Sequence, residues 1–186
     1  MQITCESPNQ PDVIALIDAL DAYQSSLYPA ESNHLLDINS LTQPNVLFVV
    51  MRDAPEGRAI GCGAVVLMGD YGEVKRMYVQ PSERGRGLAK AIMTAIETEA
   101  ARANCPCLRL ETGIHQHEAI ALYERSGFTR CGRYGDYPDD PLSVFMEKRI
   151  AAYVAVLSGA ALHPVASFSR SGNPETWRYR PVRTRG

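Results

Sequence analysis

The chain has no apolar run long enough to cross a bilayer. The candidate, Ile150–Leu162, falls short of the ~20 residues that a membrane helix needs, and His163-Pro164 ends it. An excess of one charge is also missing. Nineteen Lys and Arg stand against 21 Asp and Glu, for a net charge of -2, so no overall field draws the chain to nucleic acid or to an anionic membrane. The opening residues, Met1 to Glu6, have neither a basic start nor an apolar run, which predicts no secretory leader. The five cysteines are odd in number and scattered (Cys5, Cys62, Cys105, Cys107, Cys131), and Cys105-Pro106-Cys107 is one residue too tight for a C-x-x-C redox or zinc motif. They read as reduced, buried structural thiols of a cytoplasmic protein, and no metal is expected. No Gly-Lys-Ser/Thr is present, and the glycine spacing misses G-x-G-x-x-G, which sets aside the P-loop and the dinucleotide fold.

What is present suits one globular domain. At 186 residues, 45% of them hydrophobic and 22% charged, the chain is long enough for a single full core and short for two. The small net charge hides a division. Residues 1–150 carry 14 Lys and Arg against 20 Asp and Glu, while 151–186 carry five Arg against one Glu. The expected organisation is therefore an acidic domain over 1–150 and a basic, Pro- and Gly-bearing extension over 151–186, of a composition that supports no core of its own.

Gln2–Glu6 reads as an opening strand. From Asp12 the spacing of Val13, Leu16, Ile17 and Leu20 predicts a helix, with Pro11 near its start. A short helix is expected after Ser32, placed as an N-cap before His34-Leu35-Leu36. Val46–Met51, Ala59–Met68 and Glu73–Val79, joined by Gly- and Asp-rich turns, predict an antiparallel meander. Leu88, Ile92, Met93, Ile96 and Ala100 mark a long amphipathic helix. Cys107–Leu110 is a buried strand, His117–Arg125 a helix capped by Gly127, and Thr129–Tyr134 and Ser143–Glu147 complete the sheet. The strand–helix alternation from Glu73 onward belongs to an α/β sheet with helices on its faces.

Between the meander and the long helix lies Val79-Gln80-Pro81-Ser82-Glu83-Arg84-Gly85-Arg86-Gly87-Leu88-Ala89. The first N–H groups of a helix lack intrahelical acceptors, converge on one point, and carry the positive end of the helix dipole. Gly85 and Gly87 keep side chains from holding a phosphate away from that backbone, while Arg84 and Arg86 add charge. The loop is a candidate pyrophosphate cradle.

Its spacing is specific. Arg84-x-x-Gly87-x-Ala89, after a strand ending Val79-x-Pro81, resembles the coenzyme A signature of the GNAT acetyltransferase superfamily. The family's later landmarks follow in order: Leu108-Arg109-Leu110-Glu111, then Ala119-Ile120-Ala121-Leu122-Tyr123-Glu124-Arg125-Ser126-Gly127-Phe128. The resemblance spans Asn45 to Lys148, with a small bacterial type as the nearest pattern. It implies a GNAT-like mixed, mostly antiparallel central sheet with helices on both faces, and acetyl-CoA as cosubstrate.

The resemblance also implies roles. Backbone amides of Arg84, Gly85, Arg86, Gly87, Leu88 and Ala89, with Lys90 close by, would bind the pyrophosphate. Met77, Tyr78 and Val79 would pair with the pantetheine arm, and a backbone N–H there would polarise the thioester carbonyl. The family reaction is direct attack by a neutral amine, so one proton must leave the ammonium and one must reach the departing thiolate. Tyr123 stands where the family has its acid. Glu111 and Glu73 stand where two branches have their base, and His115 is a third candidate by its titration range. Gln116 replaces the Asn that many relatives use on the cofactor.

The acceptor side is expected to draw on Tyr28, Ser32, His34, Arg133, Tyr134 and Tyr137, with Arg133 a candidate partner for a substrate carboxylate. The expected function is acetyl transfer to the amine of a small metabolite or amino acid. A protein N-terminus or lysine is the second acceptor class, and a CoA-binding regulatory module without catalysis is a third reading. Nucleic acid is not an expected partner, because the acidic body repels phosphate and no aromatic platform is evident. The extension stays open between a homodimer arm, a disordered segment and sequence unrelated to the fold. Deleting 151–186 is expected to leave affinity for CoA unchanged in calorimetry; a large loss would show that the extension helps to build the site.

Overall fold

The computed structural model describes residues 1–32, 35–151, 166–170 and 177–181. Seven strands, β1 (Gln2–Cys5), β2 (Val46–Arg52), β3 (Ala59–Leu67), β4 (Gly72–Val79), β5 (Cys107–Gly113), β6 (Thr129–Arg130) and β7 (Ser143–Arg149), form one sheet in the order β1-β2-β3-β4-β5-β7-β6. Every neighbouring pair is antiparallel except β4 and β5. Four helices accompany it: α1 (Pro11–Leu27), α2 (Ile38–Leu41), α3 (Leu88–Arg102) and α4 (His117–Arg125). Two further strands, β8 (Ala166–Arg170) and β9 (Trp177–Pro181), pair with each other in a separate antiparallel ladder. They fall within the basic extension, most of which lies outside the described residues. No helix among the described residues is long and apolar enough to cross a membrane.

The sheet is covered on both faces, and that explains its sequence. A strand buried on both sides reads as a continuous apolar run rather than an alternation. In β2, Phe48 and Val50 face α1 while Val49 and Met51 face α3. Helix α1 buries Val13, Leu16, Ile17 and Leu20 on Cys62, Ala64 and Tyr78. Helix α3 lays Leu88, Ile92 and Ile96 across the other face, each fully buried side chain worth roughly 1.5–3 kcal/mol.

Two features shape the middle of the sheet. The register of β4 on β3 shifts between Cys62 and Ala64: Cys62 opposes Tyr78, but Ala64 opposes Lys75. Arg76 and Met77 therefore face the single residue Gly63, which defines a β-bulge. Arg76 adopts φ +58°, a left-handed conformation unusual for a residue with a Cβ. The second feature is a separation of strands. β4 and β5 pair only through Gly72 with Leu108 and Glu73 with Arg109. Beyond that point a cleft opens between them.

Several local expectations are corrected. Among the described residues the helix expected after Ser32 is not found: Ala30–Ser32 is a single 3-10 turn, Leu35 and Leu36 are not helical, and α2 begins after Asp37, whose side chain accepts from the Ser40 N–H at 2.7 Å. β6 is two residues long, not six, and from Cys131 the chain peels off into a loop. β5 runs on to Gly113, so Glu111 lies inside the strand rather than after it. All five cysteines are free, but only Cys62 and Cys105 are buried; Cys5, Cys107 and Cys131 are half-buried. Gly127 does end α4, at φ +89°.

The edge of the sheet is tied to α1 by one guanidinium. Arg52 on β2 pairs with Glu6 at 2.8 Å and with Asp12 at 2.7 Å. It also donates to Gly57 O at 2.8 Å and Gln10 Oε1 at 3.0 Å. Burial pushes the Glu6 and Asp12 carboxyls up, but the Arg52 hydrogen bonds outweigh it and hold both below the ordinary carboxylate range. Depressed carboxyls stabilise a fold above their unfolded values and lose that contribution as pH falls through the folded ones. Arg52→Ala is expected to cost about 2 kcal/mol at pH 7 in urea unfolding, less than a fully buried pair because Asp12 remains partly wet. The deficit should shrink below about pH 4, where wild-type Glu6 and Asp12 are also being protonated; a deficit that persists unchanged into acid would contradict this.

Candidate active site

The cleft between β4 and β5 runs through the sheet. Val74, Lys75, Arg76 and Met77 form one wall, and Glu111, Thr112 and Gly113 the other. Leu20, Gln24 and Tyr28 of α1, with Ser32, Leu35 and Leu142, close it on the α1 side, while Tyr123 reaches it from α4. Its volume is about 730 Å³, counting the solvent-open mouth.

Strand alternation and the bulge decide which side chain meets which face. On β5, Leu108 and Leu110 enter the α3-side core, which turns Arg109 and Glu111 toward α1. Glu111 accepts a hydrogen bond from Ser143 Oγ at 2.7 Å. Tyr123 belongs to the α3-side core and is only 7% exposed. Burial, and next the negative charge of Glu111, push its phenol above the ordinary tyrosine range. Glu111 and Tyr123 thus sense each other electrostatically while entering the cleft from opposite faces of the sheet. Tyr28 lies across Gly113, where a Cβ would stand 2.1 Å from the phenol's Cζ and Oη. Its hydroxyl accepts from the His115 N–H at 3.0 Å, and its ring stacks on that imidazole. His115 is exposed and does not line the cleft. Gln116, half-buried at the start of α4, does.

Glu73 is held elsewhere. It sits where β4 and β5 still pair, outside the cleft lining. Tyr134 Oη donates to its Oε1 at 3.2 Å, Tyr137 Oη donates to the same oxygen, and Lys75 Nζ pairs with it at 3.0 Å. Burial, the first cause, and the Glu73 charge and hydrogen bonds drive both phenols far above their ordinary range. With Tyr71 and Phe145 packed edge-on against them, these rings form a closed cluster. Of the residues expected on the acceptor side, Tyr28 and Ser32 line the cleft. Tyr134 and Tyr137 belong to the cluster. Arg133 is exposed, donates to Tyr137 O at 2.7 Å and lies outside the lining. His34 lies outside the described residues. Sequence reasoning missed Lys75 and Arg76 as cleft residues, because their facing depends on a bulge that carries no glycine to announce it.

The loop ahead of α3 is a 3-10 turn, Pro81–Glu83, followed by Arg84 to Gly87. Arg84 Nε donates to Val79 O at 3.3 Å, tying the loop to the end of β4. Gly85 and Gly87 have φ +75° and +74°, and a Cβ on either would point into open space. Glycine is required there by backbone conformation, and the surface beyond it is accessible to a ligand. Gly87 is the N-cap of α3, no side chain caps that end, and no acid occupies the first turn. The N–H groups of Leu88, Ala89 and Lys90 therefore have no intrahelical acceptors and no carboxylate neighbour in their own turn. Arg86 is ion-paired with Glu83, which also pairs with Arg58 at 3.3 Å. An exposed, dipole-backed row of donors thus stands at the end of β4, the strand that walls the cleft.

The chain is similar to known proteins. A model of the acetyltransferase (GNAT) family matches residues 13–128. The IAA acetyltransferase of Azospirillum brasilense is 49% identical over 148 residues, which cover 78% of this chain and 95% of that protein. A crystal structure from Klebsiella pneumoniae assigned to the acyl-CoA N-acyltransferases superposes with a TM-score of 0.68 at 43% identity, covering 81% of this chain and 99% of that one. An aminoglycoside 6'-N-acetyltransferase complexed with coenzyme A shares the fold, with a TM-score of 0.61 at 17% identity over 83% of this chain and 99% of that one.

Gly87→Ala is expected to cost about 1–2 kcal/mol, the penalty for a left-handed L-residue. It should also disturb the row of amide donors, lowering affinity for CoA about tenfold or more in calorimetry. Unchanged affinity would mean that this loop is not the anchor.

Proposed function

The chain belongs to the GNAT family of acetyltransferases, and from that footing we propose that it moves the acetyl group of acetyl-CoA onto the amine of a small molecule by direct attack. The observation that carries this reading is the open β4–β5 cleft, with Glu111 entering from one face of the sheet and Tyr123 from the other. In amine acylation the nucleophile arrives and the sulfur departs in different directions, so an acid and a base are needed on two sides of one carbonyl.

The residues present fit the cosubstrate. The backbone of Arg84 to Lys90 offers donors for its pyrophosphate. Met77, Tyr78 and Val79 lead from the cleft to that loop, in line for a pantetheine arm. Bound acetyl-CoA supplies an activated acyl carbon with a good leaving group. Glu111 takes a proton from the acceptor's ammonium, directly or through one water, leaving a neutral amine beside the acyl carbon. A main-chain N–H at the bulge end of β4 holds the negative charge that grows on the carbonyl oxygen. As the C–N bond forms and the C–S bond breaks, Tyr123 donates its phenolic hydrogen to the sulfur. The proton shed by the new amide nitrogen restores the balance, so amine and acetyl-CoA become amide and free thiol. Because burial and the Glu111 charge raise the Tyr123 phenol, it stays protonated through neutral and mildly alkaline pH. Gln116 lines the same cleft and suits an amide contact to the pantetheine.

Glu73 serves this reaction indirectly. Its carboxylate is taken up by two phenols and Lys75, which suits it to holding the cleft wall rather than to relaying protons.

Release of thiol from acetyl-CoA, measured with a panel of amines, tests the assignment. Tyr123→Phe and Glu111→Gln are each expected to lower kcat about 100-fold, the scale of one acid–base contribution, while CoA affinity stays within about threefold. Wild-type kcat in both variants would remove these residues from the mechanism.

A further inference from the structure

The bulge in β4 does more than separate a pair of strands. In a regular strand, successive side chains alternate between faces, so of two consecutive cations one would enter the α3-side core. Here Lys75 opposes Ala64 and shares its face, the one that packs on α1. Arg76 and Met77 together oppose Gly63, and Met77 takes the α3 side, its sulfur 2.7 Å from where a Gly63 Cβ would stand. Arg76 is thereby turned toward α1 as well. There it pairs with Asp21 and donates to Leu36 O. Two adjacent cations thus share one face, and both line the cleft.

Among the described residues, the charged side chains that line the cleft are Lys75, Arg76 and Glu111. Glu73 and Asp21, which accompany the two cations, do not line it. Both cations are held in place. Lys75 Nζ is fixed by Glu73, by the Tyr137 hydroxyl and by the Tyr137 ring at 4.9 Å. The Arg76 side chain is 4% exposed, and its buried Nε has no hydrogen-bond partner among the described residues. Preorganised cations on one wall and a carboxylate on the other complement a molecule that carries both an anion and an amine.

We propose that the acceptor is an amine that also bears a carboxylate, an amino acid in its simplest form, with Lys75 and Arg76 holding the carboxylate while Glu111 receives the ammonium. This rests on the acetyl-transfer reading above and adds the class of acceptor. It also moves carboxylate recognition from Arg133, which is exposed and bonded to Tyr137 O, to the β4 wall of the cleft. Glu73 becomes a positioning residue for Lys75.

The test compares acceptors that differ in one group: a set of amino acids, their carboxamides and their decarboxylated amines, each assayed with the full-length chain and acetyl-CoA. At least one amino acid is expected to exceed its carboxamide and its decarboxylated amine by tenfold or more in kcat/KM. Lys75→Gln should lower kcat/KM for that amino acid about 30-fold, mainly through KM, and lower it far less with its decarboxylated amine, while Arg76→Gln, which also unpins the bulge, should lower kcat/KM with both acceptors and more with the amino acid. Arg76→Lys should recover some of the loss. Wild-type CoA affinity certifies that a variant is folded, and if Arg76→Gln fails that check, Lys75→Gln alone decides. Equal rates with amino acids and their decarboxylated amines would overturn the proposal and leave acetyl transfer standing, as would equal losses on both acceptors in Lys75→Gln. CoA binding without acetylation of any amine would instead defeat the acetyl-transfer reading, and this proposal with it.

Discussion

One extra residue in β4 is the constraint on which the site depends. With two residues set against Gly63, the strand turns at Arg76, and pairing with β5 ends after Glu73. A β-bulge leaves its extra residue out of the ladder and bends the strand that carries it. A left-handed residue with a Cβ costs roughly 1–2 kcal/mol, and such a residue persists only where its surroundings over-determine it. Here they do: the Arg76 side chain is buried against α1, paired with Asp21 and bonded to Leu36 O. The cation that contributes to the cleft is the same one that pins the distortion.

From that distortion the rest of the site follows by geometry. A continuous sheet would offer no opening between β4 and β5. With the strands separated, the edge of β4 leads through the Pro81–Glu83 turn to the loop at Arg84 to Gly87 and the amide donors of α3. On the proposed reading, sheet edge and helix start together serve as the main-chain track for the acyl donor. Side chains are needed, on that reading, only where protons move and where the acceptor is chosen. Glu111 and Tyr123 reach the cleft from opposite faces because one belongs to a strand with regular alternation and the other to a helix packed in the opposite core.

Much of this was legible in the sequence, and the illegible remainder has a physical pattern. Apolar spacing identified α1 and α3, because both bury one clean stripe against a sheet. Gly85 and Gly87 identified the loop, because a left-handed backbone selects glycine strongly. Glu111 and Tyr123, singled out by the resemblance, both line the cleft. Errors arose where a competing local cap or a tertiary contact outvoted the first local preference. Ser32 looked like a helix cap, yet the helix waits for Asp37, whose carboxylate finds the Ser40 amide. Thr129 to Tyr134 looked like one strand, yet Tyr134 is drawn off to cover Glu73. Glu73 lies on the same face as Lys75 but at the paired end of the strands, and no local signal distinguishes the two ends. Arg76 was least legible of all, since arginine gives no hint of a left-handed conformation; only the register of two strands reveals it.

The account stands on the claim that the β4 edge and the start of α3 form one track for the acyl donor. Amide hydrogen exchange of the purified chain, with and without acetyl-CoA, addresses that claim directly. Slowed exchange is predicted for Met77, Tyr78 and Val79 and for Gly85 to Lys90, with the amides of β1 and β2 unaffected. Tight binding that leaves both segments unprotected, and protects some other surface instead, would contradict it.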